Sequence, residues 1–141
     1  MEFDHFVAAQ NPIYDQVLRE LAAGRKETHW MWFIFPQLDG LGHSSMAQCF
    51  AIDGVEAARR YLKHEVLGPR LRECTQLTLN IRNRTAEQVF GHPDNLKFRS
   101  SMTLFALSTP GDIIFDAVII KYFAGERDAK TLELLGLTQA K

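Results

Sequence analysis

Only two cysteines, Cys49 and Cys74, occur in the 141 residues, and neither stands in a C-x-x-C pair. A disulfide framework and a cysteine zinc site are therefore excluded, and both thiols are expected to be free. The five histidines, at 5, 29, 43, 64 and 92, contain no H-x-x-x-H spacing and no histidine–cysteine pair at ligand spacing, so no metal is expected. Neither sign of charge dominates. Sixteen Lys and Arg against 17 Asp and Glu leave a formal net charge of -1, which argues against a polybasic protein that coats nucleic acid. The longest apolar runs, residues 30–35 and 113–123, fall far short of the roughly 20 needed to cross a bilayer. The opening Met1-Glu2-Phe3-Asp4-His5 lacks the basic and then apolar pattern of a secretion signal. There is no P-loop, internal repeat or linker. These absences lead us to expect a cytoplasmic protein with no membrane partner and no cofactor.

What is present is a well-patterned chain. With 46% hydrophobic and 23% charged residues, it can bury one core, and a single domain over residues 1–141 is expected. Asn11-Pro12 reads as a helix start, followed by Tyr14, Val17, Leu18 and Leu21 on one stripe and Gly24 as the left-handed stop. Asp53 reads as the cap of a second helix with Glu56 and Arg60 paired outside, and Gly68-Pro69 as its break and the opening of a third. Thr85 and Gln88 have capping-box spacing before Gly91, Asp94 or Asn95 opens the next helix, and Asp128 caps the last. Residues 113–123 are almost wholly apolar and read as the most buried, central helix, in which Ile120→Ala would cost about 2–5 kcal/mol. The expected fold is all-α, roughly six to eight helices around that helix.

Two segments stand out chemically. Both tryptophans, Trp30 and Trp32, lie in residues 24–37 beside Lys26, His29 and Gln37. The segment reads either as core with its indole N–H groups satisfied locally, or as an aromatic wall for a planar ligand. In the second segment Lys97, Ser100 and Ser101 share a helical face opposite Phe98, Met102 and Phe105, with Asp94 at the helix start. There, small residues at a helix crossing compete with a ligand-binding reading. Gly40-Leu41-Gly42 lacks the third glycine of a dinucleotide fingerprint, and Gly42-His43-Ser44-Ser45-Met46 lacks the second glycine of a nucleophile elbow. Residues 55–84 hold seven basic side chains against three acidic ones. Such a run is ordinarily a solvated face, and no aromatic residues interleave as a single-strand platform would need.

The pattern Gly24-x-Lys26-x-x-His29-Trp30-Met31-Trp32-Phe33-Ile34-Phe35-Pro36-Gln37, then Gly40-Leu41-Gly42 and Ser44, resembles a bacterial family of unknown function, number eighteen-ten. The resemblance continues through Tyr61-Leu62-x-His64, Leu67-Gly68-Pro69-Arg70-Leu71 and Phe90-Gly91 to Asp94, Lys97 and Ser100-Ser101-Met102-Thr103-Leu104-Phe105. Glu65 departs from it where the family has proline. The resemblance implies a small all-α domain and no particular reaction. The label "calpastatin" that some members carry finds no support in so apolar and regular a chain.

Two function classes follow. In one, a planar, phosphate-bearing metabolite of nucleotide or ADP-ribose type binds where residues 29–37 meet the helix start at 94–102. Lys26, Trp30, Trp32, Gln37, Asp94, Lys97, Ser100 and Ser101 then hold it, the first-turn N–H groups near Asp94 face its phosphate, and His29 serves as acid or base if a glycosidic bond is cleaved. In the other, the aromatic segment is a non-enzymatic interaction or homodimer surface. Oligomeric state is left open by the sequence.

Overall fold

The computed structural model describes residues 1–137; the last four residues of the expected 1–141 domain lie outside them. The described chain folds as α1 (Asp4–Gln10), α2 (Tyr14–Ala22), α3 (Met31–Ile34), α4 (Ser45–Cys49), α5 (Val55–Lys63), α6 (Leu67–Asn80), α7 (Ala86–Phe90), α8 (Asp94–Ser108), α9 (Ile114–Phe123) and α10 (Ala129–Leu134). The all-α expectation holds, with no strand among the described residues beyond one isolated bridge between Leu38 and Ile52. The count is ten rather than six to eight. The three unanticipated helices, α1, α3 and α4, have seven, four and five residues, too few for a 3.6-residue period to be read.

Local signals held where a side chain or a glycine makes the boundary. Thr85 and Gln88 form the capping box, and Asp128 accepts from the Thr131 N–H at 2.9 Å. Gly24 and Gly91 turn the chain at φ +76° and +79°. Other boundaries moved. Asn11 closes α1, and α2 begins only at Tyr14. Gly54, not Asp53, precedes α5; Glu56 pairs with Arg59, while Arg60 forks onto Glu2 with both bonds at 2.8 Å. The break between α5 and α6 sits at His64, whose Nδ1 accepts the Val66 and Leu67 N–H groups at 3.1 and 3.2 Å. Gly68 and Pro69 lie inside the first turn of α6.

The largest correction concerns the centre. In α9 only Phe115, Val118 and Ile119 are buried; Ile113 is 78% exposed and Ile120 66%. Truncating so exposed a side chain leaves no cavity, so the large cost expected for Ile120→Ala does not apply. The C-terminal end of α9 works instead as a cap for α6. Lys121 Nζ donates to the Leu79 and Ile81 carbonyls, and the Tyr122 hydroxyl donates to the Thr78 carbonyl at 2.6 Å. The central helix is α8, buried at Phe98 and continuously from Ser100 to Ala106, and packed on α3, α5, α7, α9 and α10. Its hydroxyl residues hid this from hydropathy. Ser100, Thr103 and Ser108 each donate to a carbonyl one turn back, at 3.1, 2.8 and 2.7 Å, and so bury without an unmet donor.

Both cysteines are free, Cys49 exposed and Cys74 fully buried. Burial pushes the Cys74 thiol up to about 12. A thiol reagent should therefore titrate one fast group in the native protein, Cys49, and reach the second only on unfolding. Two equally fast thiols would show that α6 is not packed against α2 as described. No helix among the described residues is long and apolar enough to cross a membrane.

Candidate functional site

After Gly24 the chain leaves α2 and is pinned by the Lys26 N–H, which donates to the Val89 carbonyl of α7 at 2.7 Å. The next residues are gathered around Glu20, a carboxylate only 3% exposed. Its Oε1 accepts from the Glu27 and Thr28 N–H groups and from Trp30 Nε1, at 2.7, 3.0 and 2.9 Å. Its Oε2 accepts from the Thr28 hydroxyl and the Gln16 amide, at 2.6 and 2.9 Å. Burial alone would push this carboxyl up. The bonds from Thr28, Glu27 and Gln16 outweigh that and hold it at about 2. Sequence reasoning missed Glu20, although it falls on the stripe of Val17 and Leu21; a lone acid there reads as solvated until the fold supplies its donors.

The single turn α3 then sends alternate aromatics to different places. Trp30, Phe33 and Phe35 are buried, whereas Trp32 is half-buried and faces out. The core reading thus applies to Trp30, whose N–H is satisfied by Glu20 and whose ring meets Lys26 Nζ at 5.2 Å. Past Pro36, loop 37–42 is tied to residue 52 by the Asp39 N–H on the Ile52 carbonyl and the Ile52 N–H on the Gln37 carbonyl, at 2.8 and 3.0 Å.

The two segments singled out in the sequence do meet. Lys26 Nζ, its side chain 7% exposed, pairs with Asp94 at 2.9 Å, and Lys97 pairs with the same carboxylate at 3.5 Å. Phe35 packs edge-on against Phe98 with ring centres 4.9 Å apart. Lys97 Nζ stands 5.4 Å from the Trp32 ring centre. Beside it a cleft of about 280 Å³ opens between loop 37–42 and the starts of α8 and α10, lined by Gln37, Leu41, Lys97, Ser100, Asp128 and Lys130 among others. A small, partly open space of about 10 Å³, lined by Trp32, Gln37 and Lys97 among others, adjoins the same side chains.

Of the residues singled out, Trp32, Gln37, Lys97 and Ser100 converge on these spaces. Lys26 and Asp94 form the ion pair next to them. Trp30 is sealed in the core, and Ser101 is fully buried in α8 with its hydroxyl unpartnered. His29 is exposed and lines neither space. The first-turn N–H groups expected to face an anion are taken: Asn95 donates to Gly91, and Leu96 and Lys97 to Pro93, at 2.9, 3.0 and 3.2 Å. Positive charge at the cleft comes from Lys97 and Lys130 instead. Lys130 carried no signal in the sequence, because only the packing of α10 on α8 brings it there. Asp128 lines the cleft while capping α10.

The basic run 55–84 is largely consumed internally. Arg59, Arg60 and Arg72 are ion-paired, and Arg70 stacks on Tyr14 at 4.6 Å. Among the described residues no three His, Cys, Asp or Glu side chains converge as a metal site would.

No curated protein matches the sequence. Among solved structures, the conserved hypothetical protein Rv1873 from Mycobacterium tuberculosis is similar to this chain. The two are 50% identical over 97% of this chain and 98% of that one, with a TM-score of 0.95. Loop 37–42 and the starts of α8 and α10, which build the cleft, all lie within residues 1–135, matched by the family described as protein of unknown function (DUF1810), and the chain belongs to that family.

Proposed function

We propose that the cleft binds a small, planar, phosphate-bearing metabolite of nucleotide type. The observation that carries this reading is Lys97, which lines the cleft with Gln37 and Ser100 and stands over the Trp32 ring, itself in the small space adjoining the cleft. An apolar ring and a cation side by side match the two halves of a nucleotide, a base with a π-face and a dianionic phosphate. Lys130 adds a second cation across the cleft, and the Gln37 amide offers a donor and an acceptor to a base edge. At about 280 Å³ the cleft lies at the lower end of the usual range of about 300–1,000 Å³, so a nucleoside monophosphate suits it better than a dinucleotide.

The reading is of binding. Cleavage of a glycosidic bond needs a proton donor or acceptor at the reacting atoms, and His29 lies outside the cleft. Asp128 has one oxygen committed to its helix cap. The alternative, an interaction module displaying the aromatic segment, has less support because Trp30, Phe33 and Phe35 are buried.

Calorimetric titration with AMP, ADP-ribose and adenosine at fixed salt tests the proposal. AMP should bind, and Lys97→Ala should weaken it about tenfold or more while leaving adenosine unaffected. Stability should hold in that variant, because Asp94 keeps Lys26 as its partner. His29→Ala should bind as the wild type does. Equal affinity for AMP in Lys97→Ala and wild type would remove the reading.

A further inference from the structure

A second and larger cavity, about 340 Å³ and wide open to solvent, lies between α2 and the segments at 25–27 and 84, away from the residues of the proposed nucleotide cleft, and its three arginines are exposed. Arg19, Arg25 and Arg84 line it, together with Gln16, Glu20 and Glu27. Six of the other seven arginines, all but Arg82, are in an ion pair or over an aromatic ring. Arg59, Arg60, Arg72 and Arg127 are in ion pairs, and Arg70 and Arg99 lie over aromatic rings. The three in the cavity stand in no ion pair among the described residues, although two carboxylates share the lining.

The carboxylates do not neutralise them. Glu20 has both oxygens turned onto its five donors, and Glu27 approaches no guanidinium within ion-pair distance. One of the three cations is also held in place. Arg19 Nη2 donates to Gln16 Oε1 at 2.7 Å, and Gln16 in turn donates to Glu20. Arg84 lies beside Gly24, where a Cβ would stand 3.3 Å from both its Cδ and Nε. Arg25 follows directly on this turn, in the segment that Glu20 organises.

We propose that this cavity is an oxyanion site taking a phosphate or pyrophosphate group. Guanidinium groups present paired N–H donors that match two oxygens of a phosphate, and three of them lining one open space suit a ligand with many acceptor oxygens and more than one negative charge. A single carboxylate would answer only one of them. The site is separate from the nucleotide cleft and shares none of its lining residues.

The test is a thermal-shift and calorimetric titration with inorganic pyrophosphate, with ADP and with sodium chloride at matched ionic strength. Pyrophosphate should raise Tm saturably, and Arg25→Gln or Arg84→Gln should weaken its binding about tenfold or more. Arg25→Lys, which keeps the charge and loses the fork, should weaken it measurably, while Lys97→Ala should leave it unchanged. Arg25→Gln keeps the test decisive should Arg84→Gln, packed on Gly24, lower stability. Stabilisation by ADP and not pyrophosphate, with the same arginine dependence, supports the site with the phosphate carried on a nucleoside. A shift reproduced by sodium chloride, or one that persists in both arginine variants, overturns it. So does arginine-dependent binding of a short oligonucleotide with no response to pyrophosphate or ADP.

Discussion

Glu20→Ala should destabilise the protein by about 3–5 kcal/mol, because the buried Trp30 indole N–H loses its acceptor at a cost of about 1–3 kcal/mol, and the part-buried Thr28 hydroxyl and two backbone N–H groups lose theirs with it at a smaller cost each. Urea unfolding followed by tryptophan fluorescence measures the loss, and Trp30 sits on the broken bond. Glu20→Gln should fall between, since its amide keeps one accepting oxygen and places an NH2 donor where the other accepted. The same group sets an acid limit. Its folded carboxyl lies at about 2 against an ordinary value of 4.5, so its contribution is complete above about pH 4.5 and is lost as pH falls through about 2. That contribution is about 3 kcal/mol and should be missing from the acid-unfolding profile of Glu20→Gln. A Glu20→Ala variant within 1 kcal/mol of wild type would show that the 25–30 segment does not depend on this carboxylate.

Gly68→Ala should also be severe. A Cβ at Gly68 would stand 2.1 Å from the Leu62 carbonyl oxygen and 2.9 Å from its carbon, both backbone atoms of α5 that cannot swing aside. Helix propensity favours alanine over glycine by about 1 kcal/mol, but forcing α5 and α6 apart costs about 3 kcal/mol or more, so the clash wins. Arg72, which donates to the same Leu62 carbonyl at 3.2 Å, would be displaced with it. Gly111→Ala is the control, since nothing lies within 4 Å of a Cβ there. Thermal unfolding should show a large loss of Tm for the first and little for the second. Similar losses in both would mean that the α5–α6 approach is looser than this geometry.

Sequence by itself determined whatever depends on a few neighbouring residues. The all-α class, the Thr85–Gln88 box, the Asp128 cap, the turns at Gly24 and Gly91 and the Val17–Leu21 stripe all follow from local sterics and short hydrogen bonds. The meeting of residues 29–37 with 94–102 was a condition of the site reading that the sequence could not show, and the fold supplies it. Tertiary structure alone decided which helix is central and which tryptophan faces out. Hydropathy ranked the isoleucines of α9 above the serines and threonines of α8, yet burial follows packing, and a hydroxyl that bonds one turn back enters a core readily. Trp30 and Trp32 have the same side chain two residues apart, and the placement of Glu20 and Lys97 around them separates the core position from the half-buried one beside the cleft. Glu20, Lys130 and the Arg19, Arg25 and Arg84 cluster were illegible for the same reason. The groups that give each its role lie on other segments, and charge pattern along a chain carries no information about which distant residues will be brought within hydrogen-bonding reach.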